Sequence, residues 1–83
     1  MPSEIIMPNV GADTIALSAW FAEPGETVFE GDRLVEVVMD GATFDVPSPI
    51  TGRLVEKRAF TNDQVQAGQV LGIVEPEMAP RKN

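Results

Sequence analysis

The chain has 83 residues, 13 acidic and 6 basic side chains, a formal net charge of −7, and neither cysteine nor histidine. Disulfides, thiolate or imidazole metal sites and histidine-based catalytic triads are thereby excluded, and a nucleic-acid backbone would be repelled rather than neutralised. At this length one small domain is expected, burying roughly 60% of the surface of its unfolded chain.

The opening Met1-Pro2-Ser3-Glu4 carries neither the basic region nor the apolar stretch of a signal peptide. No apolar run approaches the roughly 20 residues of a membrane span, so a cytoplasmic setting is expected. The first clear element is Thr14 to Phe21, where Ile15, Leu17, Ala19 and Phe21 alternate onto one face and Trp20 falls on the other. Pro24-Gly25 is a turn pair. The apolar run from Leu34 to Met39 reads as a strand that reverses at Asp40-Gly41, the dipeptide that suits a two-residue type I′ hairpin. The returning strand, Thr43-Phe44-Asp45-Val46, alternates with Phe44 and Val46 inward. Pro47, Pro49 and Gly52 then bracket a sharp connection, because a proline cannot donate to a central ladder. Lys57 lies on the next strand between Arg53 and Arg58 and reads as part of a solvated basic face. Asn62-Asp63 is a second turn pair, in which Asn62 tolerates a positive φ almost as glycine does. The domain is expected to occupy residues 1–75, followed by a polar, proline-broken tail over 76–83.

The chain is written twice. Gly25/Asn62, Val28/Val65, Gly31/Gly68 and Leu34/Leu71 are each 37 residues apart, and Leu17/Leu54 and Val37/Val74 extend the match. Two copies are too few for a solenoid; a supersecondary unit related to itself by a quasi-two-fold axis is the simpler reading. With no helical period anywhere, the expected fold is all-β: a flattened barrel or sandwich of two small, mostly antiparallel sheets.

Several motifs, in order, resemble the lipoyl domains of 2-oxo acid dehydrogenase acyltransferase subunits, within the biotinyl/lipoyl family. They are Met7-Pro8-Asn9-Val10-Gly11, the turns at Gly25-Glu26 and Gly31-Asp32, and Asp45-Val46-Pro47-Ser48-Pro49 followed by Gly52. The family pattern Gly-Asp-x-Leu-x-Glu-x-x-x-Asp-Lys-Ala falls on Gly31, Asp32, Leu34, Glu36, Asp40 and Ala42, and places its attachment lysine at position 41. The residue there is Gly41, flanked by Asp40 and Ala42, with Met39 one place too early for the methionines that flank a biotinyl lysine. The resemblance implies a domain that is not itself an enzyme. In active relatives it bears a lipoyl arm that takes an acyl group at one active site and delivers it to the next, a shuttle driven by tethered effective concentration.

With glycine at the attachment position, no covalent cofactor is expected. The family's would be lipoate, or less readily biotin. Neither Lys57 nor Lys82 sits at a hairpin tip. The expected role is a monomeric, non-catalytic binding or assembly module with a protein partner, such as a component of a dehydrogenase complex. Two alternatives are a true carrier whose lysine at 41 has been replaced, and the lipoyl-like piece of a membrane fusion protein, although such proteins insert helices at the hairpin. Candidate partner contacts are Glu36, Asp40 and Asp45 around the hairpin, which could meet a basic surface or equally be an edge charged against aggregation. Trp20 joins them if it is half exposed, since tryptophan is enriched in binding hot spots; otherwise it packs over the second sheet.

Overall fold

The computed structural model describes residues 1–77, so Lys82 and most of the expected tail lie outside the described residues. Eight strands follow one another: β1 (Ser3–Ile6), β2 (Ile15–Trp20), β3 (Thr27–Val28), β4 (Arg33–Met39), β5 (Ala42–Pro47), β6 (Gly52–Lys57), β7 (Gln64–Val65) and β8 (Val70–Pro76). They form two four-stranded sheets, ordered β1-β8-β6-β3 and β5-β4-β2-β7. Every pairing is antiparallel. β8 runs one residue past the expected domain end, because Pro76 still faces Gly52 across the β6–β8 ladder.

The repeat in the sequence is a repeat in space, visible in hydrogen bonds that recur 37 residues apart. Gly25 N–H donates to the Leu54 carbonyl (2.7 Å), and Asn62 N–H donates to the Leu17 carbonyl (2.8 Å). Leu54 N–H donates to Glu26 and Leu17 N–H to Asp63; Phe21 N–H donates to Leu34 and Arg58 N–H to Leu71. Gly25 and Asn62 both hold positive φ, 98° and 77°, so asparagine does occupy the left-handed site that glycine fills in the other copy.

Side-chain oxygens repeat as well. In four turns the residue three positions on accepts the first residue's backbone N–H: Glu26 from Glu23, Asp32 from Phe29, Asp63 from Phe60 and Gln69 from Gln66. These bonds close the turns locally, as short polar side chains do.

The sandwich interior is aliphatic: Ile5, Leu17, Val37, Leu54, Leu71 and Val74 are each 1% exposed or less. Burying such a side chain stabilises the fold by about 1.5–3 kcal/mol relative to leaving it in water.

β-bulges set which residues reach this interior. Ser18 is an extra residue between the ladder pairs Leu17–Val37 and Ala19–Glu36, and Val55 is its counterpart between Leu54–Val74 and Glu56–Ile73. Leu34 and Leu71 form a second related pair of bulges. A bulge shifts the alternation by one residue. Past Ser18, Trp20 therefore turns inward opposite Val35, and Phe21 turns outward to 41% exposure. Both assignments reverse the simple alternation expected over Thr14 to Phe21. Phe44 differs for another reason. It pairs with Val37 on the inward face, but β5 is an edge strand with no further neighbour, and the ring stays 39% exposed.

Candidate functional site

The β4–β5 hairpin holds the position where the family pattern places its attachment lysine, and its turn lies at the end of the β4–β5 ladder. Met39 and Ala42 form the last ladder pair, leaving Asp40 and Gly41 as the whole connection. Both have positive φ, 49° and 76°, as a two-residue type I′ turn requires. Met39 packs against the core and anchors the tip, whereas Asp40, Gly41 and Ala42 are exposed. A Cβ placed on Gly41 would meet nothing within 4 Å. The tip therefore offers a carboxylate and a bare peptide, and no amine.

A family model described as "Biotin-requiring enzyme", covering biotinyl and lipoyl domains, matches residues 3–74. The chain belongs to the biotin/lipoyl domain family. The dihydrolipoyllysine-residue succinyltransferase component of the 2-oxoglutarate dehydrogenase complex of Bartonella vinsonii subsp. berkhoffii is 38% identical over 77 residues, covering 90% of this chain and 19% of that protein. The lipoamide acyltransferase component of the branched-chain alpha-keto acid dehydrogenase complex of Bacillus subtilis is 30% identical, covering 92% of this chain and 18% of that protein. The chain thus spans less than a fifth of the length of these curated relatives. The lipoyl domain of the 2-oxoglutarate dehydrogenase complex from Azotobacter vinelandii, solved in solution, superposes with a TM-score of 0.70 at 20% identity, covering 89% of this chain and 99% of that one. The fold is that of a lipoyl domain.

In this lipoyl-type domain the acidic candidates do not form one cluster. Glu36 and Asp45 are cross-strand partners on the outer face of the hairpin sheet. Like charges placed directly opposite repel, and each has a local partner: Ser18 Oγ donates to Glu36 Oε2 (3.1 Å), and the Arg33 guanidinium reaches Asp45 Oδ2 (3.5 Å). Asp40 lies four residues along the strand from Glu36, roughly 13 Å away at the rise of an extended chain. Among the described residues no three acidic side chains are grouped so as to hold a metal ion, and no helix is long and apolar enough to cross a membrane.

Trp20 is half-buried and packs over the second sheet: its Nε1–H donates to the Ala59 carbonyl (2.9 Å), and its ring edge lies over Gly72. Gly72 makes the space, since a Cβ there would come within 3.0 Å of Trp20 Cη2 and 2.7 Å of the Glu56 carbonyl oxygen.

Lys57 is not part of a solvated basic face. Its side chain is only 17% exposed, its Nζ sits 2.9 Å from Glu23 Oε1, and it lies 5.4 Å from the Trp20 ring centroid. The signal for this contact was in the sequence, for Trp20 and Lys57 are themselves 37 residues apart.

A second contact has no such signal. Arg33 stacks 4.5 Å from the Phe21 ring centroid while reaching Asp45. It joins three segments that only the folded sheet, with its bulge at Ser18, brings side by side.

Proposed function

We propose that this lipoyl-type domain works without a covalently attached cofactor, as a non-catalytic binding or assembly module of a 2-oxo acid dehydrogenase-type complex. The observation that carries the reading is the hairpin tip. Asp40 and Gly41 complete the turn, and the position where the family pattern places its attachment lysine has no side chain to acylate. Lys57 is no substitute, because Glu23 and Trp20 hold its ammonium group against the body of the domain. The relatives' membership of dehydrogenase complexes supports a partner within such an assembly. The exposed tip and the acidic surface suit a basic patch on that partner.

A second reading keeps the module a carrier whose lysine at position 41 has been replaced. The open space around Gly41 gives a long side chain room to project into solvent, although any residue other than glycine is strained at its φ of +76°.

The intact mass of the protein purified from its own organism separates the two. The bare-chain mass supports the first reading, while an added lipoyl or biotinyl mass refutes it. Exposing a Gly41→Lys variant to a lipoyl ligase extends the test: efficient lipoylation would favour the carrier reading, and refusal would favour a surface shaped for another purpose. Co-purification with a dehydrogenase component, weakened by Asp40→Lys, is the outcome expected for an assembly role.

A further inference from the structure

We propose that Asp40–Gly41 is also a site of spontaneous backbone modification, at which Asp40 isomerises to isoaspartate through a succinimide. The reaction requires a carboxyl group free to approach the next residue's backbone nitrogen, and a following residue whose side chain does not obstruct that approach. Asp40 meets both conditions. Its carboxylate and the Gly41 N–H have no hydrogen-bond or ion-pair partner among the described residues, both residues are exposed, and no atom outside residues 40–42 lies within 4 Å of where a Gly41 side chain would begin.

The other four aspartates each fail a condition. Asp32 and Asp63 are held by the backbone N–H groups of Phe29 and Phe60. Asp45 is paired with Arg33. Asp13 precedes Thr14, whose branched side chain obstructs the attack. No other aspartate or asparagine in the chain is followed by glycine.

In the first step the Gly41 nitrogen bonds to Asp40 Cγ and one molecule of water leaves, closing the five-membered ring. In the second, water adds to the former main-chain carbonyl carbon and breaks its bond to nitrogen, so that the chain now runs through the side-chain carbon. The water lost equals the water gained, nothing is oxidised or reduced, and one carboxylate remains. Mass and charge are therefore unchanged, and the intact-mass measurement above does not see the change. Geometry is altered. The extra main-chain methylene lengthens a connection that holds only two residues between Met39 and Ala42, so the product cannot keep the type I′ turn. The tip that the module presents is remodelled with age.

The test is incubation of the folded full-length chain at neutral pH and body temperature. Isoaspartate would be located by electron-transfer fragmentation and quantified by methyl transfer from S-adenosylmethionine with an isoaspartyl methyltransferase. Isoaspartate should accumulate at residue 40 several-fold faster than at Asp13, Asp32, Asp45 or Asp63. Asp40→Glu should abolish most of the methyl acceptance, and Gly41→Ala should slow it several-fold, with circular dichroism confirming that both variants are folded. A rate at Asp40 no greater than at the other aspartates would overturn the proposal, as would isomerisation that occurs only in urea.

Discussion

Gly52→Ala is the substitution this fold should tolerate least for its size. Gly52 lies between Val28 of β3 and Pro76 of β8, at the start of the strand that both pair with. A Cβ added there would collide with the Glu75 carbonyl oxygen, lie 2.8 Å from the Glu75 carbonyl carbon and 3.1 Å from Pro76 Cα. These are backbone atoms, so no rotamer change relieves the clash. Comfortable carbon–carbon contact begins near 3.5 Å, and the strands would have to part by roughly 1 Å. That displacement strains the neighbouring Arg53–Glu75 pair of the same ladder. Overpacking of this kind costs about 1–3 kcal/mol, and the rigidity of the obstacle places Gly52→Ala at the upper end. For a domain of this size each kcal/mol lowers Tm by about 4–8 °C, so a fall of about 12–24 °C is expected. Gly68→Ala is the control: its φ is +85° but its surroundings are open, and the left-handed backbone alone costs about 1 kcal/mol. Thermal unfolding followed by circular dichroism reads both variants. If Gly52→Ala costs no more than Gly68→Ala, the close approach of β8 does not exist and the reasoning fails.

Three further outcomes are expected. Trp20→Phe removes the donor to the Ala59 carbonyl and should cost about 1–3 kcal/mol in urea unfolding. Since Trp20 is the sole tryptophan, the parent's emission should move to longer wavelength on unfolding, and an unchanged maximum would contradict its packing. Ser48→Ala deletes the bond from a 2%-exposed hydroxyl to the Ile50 carbonyl (2.7 Å). It should lower the urea midpoint by the equivalent of about 1 kcal/mol, with the m-value unchanged. At Asn62, where φ is 77°, Asn62→Ala should lose about 1 kcal/mol while Asn62→Gly stays within a few tenths, a contrast that differential scanning calorimetry would resolve.

Much of the architecture was legible in the chain because it is written in local signals. Glycine and asparagine at fixed offsets mark left-handed turns, Asp40-Gly41 marks a two-residue reversal, and the spacing of 37 announces two copies. What escaped was non-local. Nothing in Leu17-Ser18-Ala19 says that Ser18 is an extra residue, because the bulge exists only relative to the register of β4. Simple alternation over Thr14 to Phe21 therefore exchanges the faces of Trp20 and Phe21. The exposure of Phe44 follows from which strand lies at the edge of a sheet, and the order of strands is not a local property. At the site, the tip was readable to the residue. The spacing of Glu36, Asp40 and Asp45 was not, since the hairpin register sets Glu36 opposite Asp45 while the extended strand carries Asp40 away from Glu36.

The four turns closed by a side-chain oxygen bear on the domain's electrostatics. Three of those oxygens belong to carboxylates, from Glu26, Asp32 and Asp63, and the fourth to the amide of Gln69. The amide does the same work at 3.0 Å from its N–H as the carboxylates do. At these positions the four side chains share an acceptor oxygen within reach of the N–H three residues earlier, and one of the four supplies it without a charge. The surface field of the module is thus a variable independent of its architecture: isosteric amides at the three acidic turns would leave a much less acidic domain with the same backbone. A family built on this scaffold could retune its attraction to a partner without redesigning the fold.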